Sequence, residues 1–358
     1  MRNAIITGWG KCVPPAVLSN SDLETVTDTT DEWIMSRTGI KERRISHVET
    51  SDLAAVAAER AMAAAGVRAT DLDLVLVATC SPDRLVPSAA TIVQAKIGAT
   101  NAAGMDLNAA CSGFVFALST ADQMIKTGAM GTVLVVGAEK LSYWLDFSNR
   151  STSVLFGDGA GAVILQGSDD QTDAGLLAFE LGSDGRAADL LFVPASGTEG
   201  SPDRTELPSF LMQGQEVFRR AVKSMGDASR RVLKAAGLGL GEVDLLIPHQ
   251  ANVRIIDATA RRLRLPPERV YVNIASYGNT SAATIPIAIA EAVSDGKIRP
   301  GSVIVFAAFG AGFTWAAAAY RWGPRVKPIG TSNAALPPNE KTALELLAGN
   351  IATHGTGV

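Results

Sequence analysis

Leu72-Asp73-Leu74-Val75-Leu76 recurs 171 residues later as Val243-Asp244-Leu245-Leu246-Ile247, and Gly131-Thr132-Val133-Leu134-Val135 recurs after 170 as Gly301-Ser302-Val303-Ile304-Val305. Aliphatic strands resemble one another by chance, so either match alone carries little. A near-constant offset held across more than 50 residues points to a duplicated unit. Around the first copy, Asp52–Gly66 and Ser112–Thr127 read as alanine-rich helices and Asp71–Thr79 and Thr132–Gly137 as strands. Short loops between alternating strands and helices define an α/β protein with a mainly buried sheet covered by helices. Two such units about a pseudo-twofold axis would bring corresponding strand ends and helix starts to one place. Asn108-Ala109-Ala110-Cys111 and Tyr277-Gly278-Asn279, with Cys111 and Asn279 offset by 168, would both face that axis. The expected divisions are a first half at 1–170, a connecting region rich in Asp, Gly, Ser and Pro at 171–212, a second half at 213–324 and a tail at 325–358. The tail is expected to be partly disordered, with Glu340–Leu347 as its only helix candidate.

Composition narrows the functional classes. Of 358 residues, 47% are hydrophobic and 19% charged, which excludes a disordered chain. Lys plus Arg number 32 against 36 Asp plus Glu, so the net charge of −4 argues against nucleic-acid binding by phosphate neutralisation, and an anionic partner needs a local basic patch. The uncharged stretch Val303–Tyr320 has membrane-spanning length, but Gly310 and Gly312 break it into two segments suited to buried strands. The first eleven residues hold too short an apolar run for a secretory signal, so export is not expected. Cys12, Cys80 and Cys111 form neither a disulfide framework nor a zinc spacing, which suits a reducing cytoplasm.

Cys111 sits where the apolar segment Leu107–Ala110 gives way to a helix start. Unsatisfied N–H groups and the helix dipole there favour a thiolate, making Cys111 the candidate nucleophile, while Ala109, Ala110 and Gly113 leave room for substrate. The alternative is a buried structural cysteine, the reading kept for Cys12 and Cys80. His249 follows the strand Val243–Ile247 at once, where functional groups gather in α/β sheets, whereas His47 and His354 lie in polar segments. Asn279 lies in a glycine-kinked loop opening the helix Thr284–Val293; alone it reads equally as a cap. Together the three fit thioester chemistry, with Cys111 attacking and His249 and Asn279 donating to a carbonyl oxygen whose charge grows. Phe156-Gly157-Asp158-Gly159-Ala160-Gly161 resembles a phosphate loop, but it leads into a strand rather than a helix, so its glycines are assigned to close backbone packing. Asp28, Asp31 and Glu32 read as a solvated helix start, and no metal-ligand cluster is evident.

These residues resemble the type III β-ketoacyl-acyl-carrier-protein synthases, condensing enzymes of the thiolase fold. The resemblance runs from Ile5 to Trp322 through Asp31-Glu32-Trp33-Ile34, Arg37-Thr38-Gly39-Ile40, Ala110-Cys111-Ser112-Gly113-Phe114 and Phe156–Gly161. It continues through His249-Gln250-Ala251-Asn252, Gly278-Asn279-Thr280-Ser281-Ala282-Ala283 and Phe313-Thr314-Trp315. It implies a layered α-β-α-β-α core of two pseudo-twofold-related βαβ halves. The implied reaction joins a short acyl-CoA primer to malonyl-acyl-carrier protein through an acyl-Cys111 intermediate, with loss of carbon dioxide and no cofactor beyond these substrates. The family pattern assigns an oxyanion hole to the N–H groups of Cys111 and Ala311, where many relatives carry glycine at the second position. It assigns coenzyme A contacts to Thr29, Trp33, Arg37, Arg150, Phe218 and Asn252, with the adenine stacked between Trp33 and Arg150. It assigns carrier-protein docking to Arg219, Arg254, Arg261 and Arg262, and the acyl pocket to Val86 and Phe156, Val86 acting across a homodimer interface. Valine at that position is expected to admit primers longer than acetyl. Competing expectations are a specialised condensing enzyme of polyketide metabolism and a non-catalytic carrier-binding scaffold. A thiolase would carry a second cysteine near Gly310-Ala311-Gly312, and an elongating synthase a histidine in place of Asn279.

Overall fold

Runs such as Leu74–Ala78 are apolar at every position, and the fold accounts for this by burying both faces of each sheet. The computed structural model describes residues 3–168, 173–199 and 208–354; residues 169–172 and 200–207, in and beside the expected connecting region, and 355–358 of the tail lie outside the described residues. The first sheet contains β1 (Asn3–Cys12), β2 (Leu74–Ala78), β3 (Ala103–Leu107), β4 (Thr132–Lys140) and β5 (Asp158–Ser168), in the order β1-β5-β4-β2-β3. The second contains β6 (Gly175–Ser183), β7 (Leu245–Pro248), β8 (Val303–Gly310) and β9 (Thr314–Arg321), in the order β6-β9-β8-β7. Strand directions match position by position: the first two pairings in each sheet are antiparallel and the next is parallel. Where the first sheet adds β3, the second has only a parallel bridge between Leu246 and Val270.

The helices form the remaining layers. α1 (Thr50–Ala65) and α2 (Ala89–Lys96) cover the outer face of the first sheet, α3 (Gly113–Lys126) and α6 (Thr284–Ser294) lie between the sheets, and α4 (Gly214–Ala235) with α5 (Val253–Arg262) covers the second. Alternation along β2 makes the layering explicit: Leu74, Leu76 and Ala78 join the central core with Phe114 and Ile285, while Val75 and Val77 join the outer core with Leu53 and Ala57. Leu245 and Ile247 likewise point inward and Leu246 outward. This is the expected α-β-α-β-α thiolase-like architecture. Val303–Tyr320 is the β8–β9 hairpin, as its glycines suggest, and among the described residues no helix is long and apolar enough to cross a membrane.

Glycines and alanines set how closely the layers approach. A Cβ on Gly8 or Gly10 of β1 would lie 2.2 or 2.4 Å from the carbonyl oxygens of Ala61 and Ala57, so α1 rests directly on bare strand backbone. In the glycine-rich segment before and within β5, a Cβ on Gly161 would lie 2.5 Å from the Ile287 nitrogen of α6. The tail follows a defined course over its described residues: Ile329 and Gly330 donate to the carbonyls of Ala64 and Ala63, Arg60 donates to Ala334, and His47 Nε2 meets Pro337 O. It ends in two short helices, Ala343–Leu346 and Ala348–His354, near the expected helix at 340–347, with the His354 side chain outside those described. Gly161→Ala tests the close-packing account: overpacking against α6 lowers stability by about 1–3 kcal/mol, read as a lower urea midpoint at unchanged m-value.

Candidate active site

Two turns 171 residues apart build the centre. Ala110–Ser112 and Ser281–Ala283 are single 3-10 turns opening the central helices α3 and α6. Ala110 and Ser281 each adopt φ +47°, an uncommon left-handed geometry for a residue with a side chain. The preceding asparagine stabilises each turn: Asn108 Oδ1 accepts from Ala110 N at 3.1 Å, and Asn279 Oδ1 accepts from Ser281 N at 2.8 Å. The structural mate of Asn279 is therefore Asn108, and that of Cys111 is Ala282, which corrects the expected pairing of Cys111 with Asn279.

Cys111 follows the strained Ala110 and lines a cavity of about 480 Å³ together with Ser281, Ala311 and Phe156. The end of β8 presses on it so closely that a Cβ on Gly310 would lie 2.6 Å from Cys111 N. Thr314 Oγ1 ties the same loop to Ala109 O at 2.8 Å. Burial pushes the Cys111 thiol up to about 12; the Ser281 hydroxyl eases its ionisation and the Glu139 carboxylate opposes it. The expected helix-end lowering is thus outweighed. A helix terminus contributes at most about 2 kcal/mol, roughly 1.5 pH units, whereas full burial shifts a group by about 3–5 units.

His249 is buried at the end of β7, where its backbone N–H donates to Ala307 O at 2.8 Å. Burial lowers its pKa to about 3, so the imidazole is neutral across the physiological range. Its Nδ1 lies 2.7 Å from Thr284 Oγ1, and Thr284 Oγ1 lies 3.0 Å from Ser281 O. Ser281 thereby links the three candidate residues: its hydroxyl favours the Cys111 thiolate, its carbonyl holds Thr284 against His249, and its N–H engages Asn279. With Oδ1 committed to Ser281, Asn279 keeps its Nδ2 free as a buried donor among the described residues.

The sequence reading missed three members of this neighbourhood, Ser281, Thr284 and Glu139, and took Cys80 for an inert core residue. Cys80 lines the Cys111 cavity, its thiol 3.4 Å from Glu139. Glu139 is fully buried and accepts from Thr79 Oγ1, Cys80 N and Ser81 N at 3.1 Å, pinning the loop after β2. A carboxylate closing the apolar run of β4 is the one signal that could have drawn attention to it.

At the mouth, Trp33 lies on the helix Asp31–Thr38, capped by Thr30, and the Arg150 guanidinium sits 4.9 Å over its ring. A flat base between them needs about 3.5 Å of contact on each side, so Arg150, also bonded to Asp28 O, must swing aside to admit one. Thr29, just before the helix that carries Trp33, is buried. Asn252 Nδ2 donates to the Arg37 carbonyl at 2.9 Å, joining that helix to α5, and Arg254 lies 5.5 Å over the Phe218 ring on α4. Of the four candidate docking arginines, Arg219 pairs with Glu216 and Arg262 with Asp227, while Arg254 and Arg261 have no ion-pair partner among the described residues. Phe156 stacks on Phe210 at 4.2 Å in the cavity wall, whereas Val86 is 84% exposed, beside Leu85 at 76%, away from this chain's cavity.

The chain is similar to known proteins over most of its length. A family model for 3-oxoacyl-(acyl-carrier-protein) synthase III matches residues 105–185, and one for its C-terminal part matches 233–322. A curated relative from Vibrio cholerae, β-ketoacyl-(acyl-carrier-protein) synthase III 2, is 51% identical over 349 residues, 96% of this chain and 95% of the relative. The crystal structure of 3-oxoacyl-(acyl-carrier-protein) synthase III from Aquifex aeolicus superposes with a TM-score of 0.84 at 46% identity, covering 89% of this chain and all of that one. The priming β-ketosynthase of the R1128 polyketide pathway superposes at 0.85 with 36% identity, over 90% of this chain and 97% of that one.

The raised Cys111 thiol has a direct readout. With the Cys111 pKa far above neutrality, iodoacetamide labelling of this residue, followed by peptide mass, rises about tenfold per pH unit from about pH 7 to 9. A plateau near neutral pH would instead reveal a preformed thiolate.

Proposed function

This chain belongs to the 3-oxoacyl-(acyl-carrier-protein) synthase III family, and on that premise we propose that it primes fatty acid synthesis by condensing a short acyl-CoA with malonyl-acyl-carrier protein at Cys111. It is a condensing acyltransferase of the thiolase fold. The observation that carries the residue assignment is that Cys111 and Ser281 line one cavity while the Ser281 carbonyl leads through Thr284 to His249, with the Asn279 amide free beside them.

In the first half-reaction Cys111 Sγ attacks the acyl-CoA carbonyl carbon. His249 Nε2 takes the thiol proton, and the N–H groups of Cys111 and Ala311 receive the developing oxyanion. The carbon–sulfur bond to coenzyme A then breaks, its thiolate takes up a proton, and the acyl group stays on Cys111. In the second half-reaction malonyl-acyl-carrier protein loses carbon dioxide, and the freed electron pair forms an enolate at the carrier thioester. His249 Nε2–H and Asn279 Nδ2 donate to the enolate oxygen. Its carbon attacks the acyl-Cys111 carbonyl, and the Cys111 thiolate leaves and is reprotonated.

These steps ask opposite things of Nε2, first a bare nitrogen and then a donor. The Thr284 hydroxyl accommodates both. While it donates to Ser281 O it accepts from Nδ1–H and Nε2 is bare; rotated toward Nδ1 it donates there and the proton resides on Nε2. The ring is neutral at rest, in keeping with its burial, and is an imidazolium only between taking the Cys111 proton on Nε2 and returning a proton to the departing coenzyme A thiolate.

Arg254 and Arg261, without an ion-pair partner among the described residues, supply the attraction for an acidic carrier protein, and Trp33 with Arg150 forms the slot for the coenzyme A base. Leu85 and Val86 present an exposed apolar loop suited to burial against a second copy of the chain, from which Val86 would reach the neighbouring acyl cavity. A reducing cytoplasm suits a free thiol nucleophile.

Intact-mass measurement after incubation with acetyl-, isobutyryl- and octanoyl-CoA tests the proposal. Wild-type protein gains a single acyl group at Cys111 and Cys111→Ala gains none; acylation that survives the substitution would overturn the assignment. Thr284→Ser keeps condensation near the wild-type rate, whereas Thr284→Val lowers kcat about 100-fold. Arg254→Glu raises KM for the malonyl-carrier substrate more than Arg262→Glu, whose parent arginine is already paired.

A further inference from the structure

The tail beyond Trp322, where the family model's match ends, reaches back to the wall of the acyl cavity. It crosses the outer surface of α1 through the Ile329, Gly330 and Ala334 contacts and then enters a helix capped reciprocally by Thr342 and Glu345. Ala343 and Leu347 are each 2% exposed, packed in the same hydrophobic core as Leu18, Ile45, Leu141 and Phe156. One turn later the Asn350 carboxamide faces two carbonyls of the Leu141–Trp144 turn and that of the residue after it: Nδ2 lies 3.0 Å from Tyr143 O, 3.5 Å from Ser142 O and 3.3 Å from Leu145 O.

That turn is the cavity wall. Leu141 and Trp144 line the space in front of Cys111. Trp144 packs edge-on against Phe210 at 5.7 Å and accepts from the Phe210 N–H through its carbonyl, and Phe210 stacks on Phe156. The chain leaving the turn leads directly to Arg150 at the mouth. An NH2 group has two protons to donate and here faces three acceptors, so one side chain holds the carbonyls on either side of Trp144 in place.

We propose that Asn350 is a specificity-determining positioning residue, fixing the Leu141–Trp144 wall and thereby setting which acyl groups the cavity admits. This rests on the acyl-transfer reading above. Loss of the carboxamide donor frees the turn, lets Trp144 withdraw from Phe210 and deepens the cavity, which favours bulkier acyl groups over acetyl. Thr353, whose hydroxyl bonds among the described residues to Gly349 O of its own helix alone, provides a control on the same element.

The test compares wild type, Asn350→Ala, Asn350→Asp, which keeps the shape but loses the donor, and Thr353→Ala, all first shown to melt cooperatively. In both Asn350 variants the octanoyl-to-acetyl ratio of kcat/KM for acyl-Cys111 formation rises about fivefold or more, and Thr353→Ala keeps the wild-type ratio. Amide hydrogen exchange across 141–146, read without substrate, speeds up about tenfold in Asn350→Ala. An unchanged ratio, or unchanged exchange, overturns the inference. Absence of acylation in the wild type would instead overturn the functional reading, and the exchange result alone would still decide whether Asn350 holds the wall.

Discussion

The structure depends on a reciprocal contact at the pseudo-twofold axis, in which the turn opening each central helix rests on a bare glycine of the other half's sheet. A Cβ on Gly310 would lie 2.6 Å from Cys111 N, and one on Gly137 would lie 2.3 Å from Ala282 O. No side chain separates the halves there, so the turn that carries Cys111 is positioned by backbone rather than by adjustable rotamers. The left-handed residues Ala110 and Ser281 and their asparagine partners are consequences of this constraint: each turn must bend sharply enough to meet the opposing strand end and then start a helix at once.

The same closeness sets the electrostatics. Turns pressed between two sheets are dry, and dryness penalises charge on either partner of a thiol–imidazole pair: it raises Cys111 and lowers His249. The resting pair is therefore neutral, and charge develops only as bonds form, when a few fixed donors act with little solvent competition. Glu139 shows the complementary solution for a carboxylate in the same place. It keeps its acceptor atoms occupied by the backbone and hydroxyls of Thr79–Ser81, so that the loop beneath Cys80 is held by one side chain.

The architecture was legible in the sequence because duplication leaves a long-range signal, a repeated strand at a constant offset, that local ambiguity between buried strand and buried helix cannot erase. The glycines of Phe156–Gly161 were legible for a related reason, since the chain continues from them as a strand and not as a helix. Three features were not. The partner of Asn279 was misassigned by three residues because a cysteine draws attention that Asn108, the true mate, does not. The thiol's ionisation was misjudged because a helix start is visible in sequence while burial by β8 is not. Ser281 and Thr284 look like ordinary small residues of a helix start, and only the packed structure shows one hydroxyl near sulfur and the other against imidazole.

The features that the duplication repeats and those it leaves unrepeated divide the molecule by role. Strand order, central helices and the paired turns are common to both halves, and they hold reacting groups about the axis. The helix Asp31–Thr38, the Leu141–Trp144 turn and the tail have no counterpart among the described residues of the second half, whereas the strand pair Ala16–Ser19 with Glu42–Ile45 is matched there only by the shorter pair Leu191–Phe192 with Leu211–Met212; these pieces gather around the cavity and its mouth. Recognition requires asymmetry, because the substrate enters from one side and presents different groups at its two ends. A symmetric core offers each half the same surface, so selectivity for one acyl group over another falls to the unrepeated additions. These pieces are also packed on one another, with Leu347 of the tail, Leu18 of the strand Ala16–Ser19 and Leu141 of the wall in one core. A change in any of them reaches the cavity without passing through the axis, which is how such a fold can vary its substrate while keeping its chemistry.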